Sequence, residues 1–178
     1  AGTVQTAFCV SPTIGVNTLP EYIEWLKKNP TRQSFGTTAL GSFTHFFGVM
    51  AGKEIGIPLE PVPYRGAAPL VADLQGGHIA AGCGGLTDFL EHHRAGKVKL
   101  IFTSGTKPAT AAPDIPTAKE SGVDNFVISD HLSTIDVIDL ESTNGVYVNG
   151  ERTDRAHLIP GDHLRVGRVE LVVGRSQG

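Results

Sequence analysis

The sequence predicts an α/β unit, with a parallel sheet covered by helices on both faces, followed by a small antiparallel β meander. Three observations predict it. Through residue 125, short apolar runs alternate with helical patterns, which requires crossover connections and therefore parallel strands. From residue 134 the pattern changes to short β runs separated by Asn-Gly and Pro-Gly turns. The composition breaks between the two. All seven lysines and ten of the eleven prolines precede Asn125, and residues 126–178 carry five arginines against eight acids.

The elements follow in chain order. Thr18-Leu19-Pro20-Glu21 is a capping box with proline in the first turn, and Leu19, Tyr22, Ile23 and Leu26 recur at helical spacing. Lys27-Lys28 suit the negative end of that helix, and Asn29-Pro30 stops it. Ser34-Phe35 reads as a short strand, residues 36–41 as a loop, and Phe43 to Gly52 as a helix. Leu59 to Pro63 is extended, and Ala67 to Leu74 is a helix closed by Gly76-Gly77. Ile79-Ala80-Ala81 reads as a buried strand, with Gly82-Cys83-Gly84-Gly85 as the turn after it. Thr87 to Arg94 is a helix ending at Gly96, and Val98 to Thr103 is a further strand.

In the second segment, Ile135–Leu140, Val146–Val148, His163–Val166 and Val169–Val173 are β runs. Asn144-Gly145, Asn149-Gly150 and Pro160-Gly161-Asp162 supply the turns between them, because Asn-Gly adopts the positive φ angles that tight hairpins demand. The expected division is an α/β lobe over 1–126, a junction over 127–134 and a β unit over 135–178.

At 40% apolar and 19% charged residues, the chain can build a packed core. No run approaches the roughly 20 apolar residues of a membrane helix, so membrane insertion is not expected. The net charge of −3 gives no reason to expect nucleic acid. The start, Ala1-Gly2-Thr3, has neither basic n-region nor apolar h-region, so an export signal is expected to be absent or removed. Cys9 and Cys83 can form one disulfide at most and fit no metal spacing, which leaves their pairing and the compartment open.

Five stretches taken in order carry a resemblance. They are Phe35-Gly36-Thr37-Thr38-Ala39-Leu40-Gly41-Ser42-Phe43-Thr44-His45, Val62–Pro69 with its Tyr64-Arg65-Gly66-Ala67 turn, Asp73–Ile79, Arg94–Val98, and Ala112–Thr117 ahead of Glu120-Ser121-Gly122. Over about residues 4–126 the chain resembles the second lobe of the Bug family, the solute-binding proteins of tripartite tricarboxylate transporters. This implies one lobe of a periplasmic-binding-protein-like fold, a periplasmic location and a small carboxylate ligand held between two closing lobes.

Separately, Asp139–Gly150, Leu158–Asp162, Val166-Gly167 and Leu171–Val173 resemble the C-terminal half of a forkhead-associated (FHA) domain. That family's N-terminal strands, its Gly-Arg and its Ser-x-x-His are not found. The chain therefore resembles a chimera of two incomplete folding units, and the FHA part leaves a cytoplasmic location as the alternative.

The chemistry centres on strand-to-helix turns. If Ser42 caps the helix that follows, the free N–H groups there, with the hydroxyls of Thr37, Thr38, Ser42 and Thr44 between Gly36 and Gly41, could hold a carboxylate without a charged side chain. The plain alternative is a Gly-rich turn, and the Bug resemblance favours the anion site. The stretch also mimics a P-loop, but Ser42 stands where lysine is required, which disfavours nucleoside triphosphates. Tyr64-Arg65-Gly66-Ala67 borders the same cleft by resemblance, and Arg65 either pairs with an acidic ligand or is a solvated surface arginine. Cys83 and Gly84 would let a ligand approach the backbone, although Ala80 and Gly84 stand where family members often carry acids. Cys83 reads either as a nucleophile or, more commonly for its type, as a buried thiol.

Asp88, Glu91, His92 and His93 invite a metal reading, but two ligands on an exposed helix make a poor site, and no metal or cofactor is expected. In the β segment, Thr143 and Asn144 match the FHA loop that touches a phosphothreonine peptide; turn chemistry alone also explains Asn144-Gly145. Neither half shows a nucleophile–base pair or paired carboxylates, so the chain reads as a non-enzymatic binding scaffold. Its carboxylate binding is expected to be weak or lost with one lobe missing. The open β edge is expected to drive homo-oligomerisation.

Overall fold

The computed structural model describes residues 5–105, 107–123, 126–131, 134–139, 145–166 and 169–173. These residues divide into an α/β unit, Gln5–Val123, and a β unit that follows it. Phe126, the last residue of the expected lobe, and residues 127–131 of the expected junction form a strand of the β unit.

The α/β unit opens with strand β1 (Thr6–Val10), which the sequence reading leaves unassigned. Helix α1 (Leu19–Lys28) has the boundaries that its caps dictate. Thr18 Oγ1 accepts from Glu21 N–H, and the Glu21 carboxylate accepts from Asn17 N–H at 2.7 Å. Then come β2 (Ser34–Thr37), α2 (Phe43–Glu54), β3 (Glu60–Pro63), α3 (Ala67–Gly76), β4 (Ala81–Gly85), α4 (Leu86–Arg94) and β5 (Lys99–Thr103). The strands form one sheet in the order β3-β2-β4-β1-β5. β2 is parallel to both β3 and β4, while β1 runs antiparallel to β4 and β5. The expected parallel sheet is therefore present with one reversed strand, β1, inserted between β4 and β5.

Alternation along the strands sends side chains to two cores. Phe8 and Val10 of β1, Phe35 of β2 and Ala81 and Cys83 of β4 face Leu19, Tyr22, Leu26, Phe47 and Ala51 of α1 and α2. Ala7 and Cys9 of β1 face Leu70, Val71, Leu74, Leu86 and Phe89 of α3 and α4. Helices thus cover both faces, as expected. A register shift between Phe8 and Cys9 in the β1–β5 pairing lets Ile101 and Phe102, adjacent in sequence, join the same core.

One sequence expectation is corrected in this unit. The buried strand starts at Ala81, and Gly82-Cys83-Gly84-Gly85 are strand rather than turn. A Cβ at Gly82 would lie 3.1–3.2 Å from Leu74 and Leu70, and one at Gly84 2.8 Å from the Phe89 ring. The glycines are what allow α3 and α4 to pack this closely on the sheet.

In the β unit the strands are β6 (Phe126–His131), β7 (Thr134–Asp139), β8 (Val146–Val148), β9 (Glu151–Thr153), β10 (Arg155–Leu158), β11 (His163–Val166) and β12 (Val169–Val172). All described pairings are antiparallel, as expected, but the meander is corrected to two sheets, β10-β7-β6 and β12-β11-β8-β9. The chain changes sheet at Asp154, between β9 and β10, where the Asp154 carbonyl accepts from Asp139 N–H. The Asn149-Gly150 turn joins β8 to β9 with Asn149 at φ 51° and Gly150 at φ 87°. This is the mirror-image turn that the dipeptide predicts.

Candidate functional site

Because β3, β2 and β4 are parallel neighbours, their C-terminal ends lie along one edge, and α2, α3 and α4 all begin there. In open α/β sheets this edge is where ligands bind. Two of the three helix starts are open. Neither α2 nor α3 has a side-chain cap or an acid in its first turn. The start of α4 is closed: Leu86 N–H donates to the Gln5 carbonyl at 2.8 Å, and Asp88 places a carboxylate in the first turn. An anion would therefore be repelled at α4 and accommodated at α2 and α3.

The α2 and α3 turns are tied together. Tyr64 N–H donates to the Thr37 carbonyl at 2.8 Å, and Thr37 pairs with Pro63 across β2 and β3. Gly36 lies beneath them, with no space for a Cβ against Leu70 and Tyr64. Gly84, at the end of β4, approaches Thr38; a Cβ there would meet the Thr38 methyl at 3.3 Å. The edge thus gathers Gly36, Thr37, Thr38, Gly41, Ser42, Thr44, Tyr64, Arg65, Gly66, Ala67 and Gly84 along three adjacent strands.

Their roles differ from the sequence expectation in one respect. Ser42 occupies the N-cap position of α2, but its hydroxyl does not cap the helix; it donates to the Ala39 carbonyl at 2.6 Å. Thr44 Oγ1 lies 2.9 Å from Ser42 Oγ and 3.2 Å from Thr37 Oγ1. Since the Ser42 proton is committed to Ala39, Thr44 donates to Ser42, and the Thr37 hydroxyl lies within reach of both Thr44 Oγ1 and the Ala39 carbonyl, the latter 3.4 Å away. These hydroxyls brace the turn, and the N–H groups of the first turn of α2 are left without a side-chain cap. Thr38, half-buried, and Arg65, exposed, make no hydrogen bond or ion pair with the described residues.

Tyr64 donates its hydroxyl to Asp73 at 2.8 Å, and burial together with that bond pushes its pKa up to about 12. It is a neutral wall of the turn. His45, which the sequence reading quotes but assigns no role, accepts from Gly41 N–H at 3.0 Å, and burial lowers its pKa. Gly41 has φ 76°, a conformation that favours glycine.

Cys83 belongs to the core. Its side chain is fully buried, burial pushes the thiol well up, and only its backbone lies in the strand beside the site. Cys9 and Cys83 are free thiols on opposite faces of the sheet, which answers the pairing question. His93 is a structural group: its Nδ1 lies 3.4 Å from the Val98 carbonyl and 3.3 Å from Leu100 N. Among the described residues, no cluster of three His, Cys, Asp or Glu could hold a metal, and no helix is long and apolar enough to cross a membrane. Thr143 and Asn144 lie outside the described residues.

Two families match this chain, and their matches overlap over residues 125–143. Residues 125–167 match the FHA domain family. Protein BugT of Bordetella pertussis is 30% identical over 128 residues, covering 72% of this chain and 39% of BugT. The structure of the periplasmic binding protein BugD superposes with a TM-score of 0.62 at 30% identity, covering 68% of this chain and 40% of BugD. A Rhodopseudomonas palustris protein solved with adipate superposes at 0.66 and 24% identity, covering 71% of this chain and 42% of that one. The chain thus spans about two fifths of the length of the relatives it matches. Residues 2–143 match the tripartite tricarboxylate transporter family receptor, and the chain belongs to that family.

Proposed function

We propose that the α/β unit is a non-catalytic binding lobe of periplasmic type that presents one wall of a carboxylate site, centred on the start of α2. The observation that carries this reading is the adjacency of two open helix starts, α2 and α3, beside a third that Asp88 and Gln5 close. The N–H groups of α2 would hold one carboxylate, and Arg65 would meet a second acidic group. Family membership supports the ligand class, and structural neighbours solved with adipate and with malate supply the probes.

One wall supplies part of the contacts that a closed cleft would, and each 1.4 kcal/mol lost costs about tenfold in affinity. The expected dissociation constant for malate or adipate is on the order of 1 mM or weaker. Amide chemical shifts over residues 36–44 and 64–67, followed against added adipate, measure it. Binding tighter than about 10 μM by a monomer would refute the one-wall reading. An unmoved set of amides at roughly 50 mM ligand would refute the site.

The FHA match favours a second reading, in which the β unit takes a phosphothreonine peptide through Thr143 and Asn144. A phosphopeptide pulldown, with Asn144→Ala as control, separates it from carboxylate binding. The β unit is also the surface through which copies would associate. Val172 on β12 is 57% exposed, and β12 lies at the end of its sheet. The strand Val169-Glu170-Leu171-Val172 carries neither lysine nor proline to discourage pairing. Light scattering reads the outcome: a dimer that Val172→Lys dissociates supports it, and a wild-type monomer sinks it.

A further inference from the structure

His45 plays no part in the carboxylate reading, yet it latches the turn on which that reading depends. It sits in the first turn of α2, half-buried, with its ring stacked on Phe46 at 5.0 Å. Gly41 N–H donates to Nδ1 at 3.0 Å. To accept there, the imidazole must be neutral, with its proton on Nε2. Protonation would set an Nδ1–H against the Gly41 N–H, two donors at 3.0 Å, and the contact would have to break. That event frees the Gly41 amide and places a cation in the first turn of α2. A cation is unfavourable at a helix start on its own and favourable there beside a bound anion.

We propose that anion capture at the Gly36–Thr44 turn is coupled to protonation of His45. In the neutral state Gly41 is latched to the imidazole; in the charged state the imidazolium and the freed Gly41 amide both donate to the carboxylate. This rests on the reading that the carboxylate seats at this turn, and it adds the regulation of that site. Burial favours the neutral ring in the free protein, and the Gly41 N–H donated into it acts in the same direction. The charged groups on α2 and on the strands packed against it are Lys53 and Glu54 of α2 and Glu60 of β3; Arg65 precedes α3, and Lys99 lies beyond them on β5. Burial, not any of these charges, is what lowers the His45 pKa.

The sign follows from linkage. A bound carboxylate stabilises the imidazolium, so binding takes up a proton. Affinity then rises as pH falls through the window between the bound and free pKa values, by at most about tenfold per pH unit. Above that window it is flat.

NMR of the full chain tests this by following the His45 ring and the amides of residues 36–44 from about pH 4.5 to about 8, with and without adipate. Three results are expected. The Gly41 amide moves with the His45 titration in the free protein. Adipate raises the His45 midpoint by half a unit or more, on the order of a threefold gain in affinity at the acid end. His45→Gln, its fold checked by Trp25 fluorescence, keeps only the loss of binding toward acid that protonation of adipate's own carboxyls causes, with no gain as pH falls. A Gly41 amide indifferent to the titration overturns the latch. A midpoint unmoved by adipate, while the 36–44 amides shift, overturns the coupling and leaves the site intact. Amides that stay still at every pH overturn the site and the coupling together.

Discussion

Gly48 sets two effects of known size against each other. It lies in the interior of α2, where replacing glycine by alanine normally stabilises a helix by about 1 kcal/mol. In this fold, however, a Cβ at Gly48 would stand 2.1, 2.4 and 2.6 Å from three atoms of the Phe35 ring. Phe35 is fully buried in the core between β2 and the helices, and a ring edge cannot swing aside as a flexible chain end can. Either the ring leaves its rotamer or α2 lifts from the sheet, which costs about 1–3 kcal/mol or more in a packed core. Contacts this short belong at the upper end of that range, so Gly48→Ala should lose about 1–2 kcal/mol net. Trp25 is the sole tryptophan and lies in α1, so its fluorescence reports the α/β unit without interference from the β unit. The urea midpoint should fall by roughly 0.5–1 M, and Phe35→Leu in the same chain should recover part of the loss. A midpoint equal to or above wild type would refute the close approach of α2 to β2, and with it the placement of the α2 start beside the site.

Two further predictions concern other parts of the molecule. Both thiols should resist Ellman's reagent at neutral pH and react once the chain is unfolded in urea, because burial raises Cys9 and Cys83 far from thiolate formation; rapid native reaction at Cys83 would contradict its core position. In the β unit, Asn149 accepts from His163 N–H and donates to Asp162, each at 2.9 Å, at a backbone φ of 51°. Asn149→Ala should weaken hydrogen-exchange protection of β8 and β11 by about 1–2 kcal/mol, and Asn149→Gly, which keeps the conformation, by less. Asp162 accepts from Ile159 N–H and from Asn149, and these bonds hold its carboxyl below the usual range. Its contribution is present above the ordinary carboxylate pKa near 4 and is lost as pH falls through the lower folded value. Protection of the Ile159 amide should therefore drop in acid, and a rise would show the wrong sign.

What the sequence made legible is what is decided locally. The capping box at Thr18, the stop at Asn29-Pro30 and the Asn149-Gly150 turn each depend on a few adjacent residues, and each element stands where it was expected. β1 was missed because Thr6–Val10 is buried at every position. Such a strand shows no alternation, so periodicity gives it no signature. The strand at Ala81 is legible, but its continuation through Gly82–Gly85 is not, because four residues with three glycines look like a loop. Their reason is tertiary: Leu70, Leu74 and Phe89 occupy the space that side chains would need. That register also decides Cys83. With Gly82 and Gly84 facing α3 and α4, Cys83 must face α1 and α2, and shifting the strand by one residue would have turned the thiol the other way.

The candidate site shows the same division between local and distant causes. Its donors could be read as a class, since each strand-to-helix turn is short, rich in glycine and free of lysine. Which turns are open could not. Ser42 looks like a cap and is not one: its hydroxyl is turned to the Ala39 carbonyl and accepts from no N–H of the helix. Leu86 loses its N–H to Gln5, a residue far upstream that only the inserted strand β1 brings to this edge. The reversal of β1 therefore does more than complete the sheet. By delivering the Gln5 carbonyl to the start of α4 it withdraws one of three similar helix starts, and with Asp88 beside it the proposed carboxylate would be favoured at α2 and α3 instead.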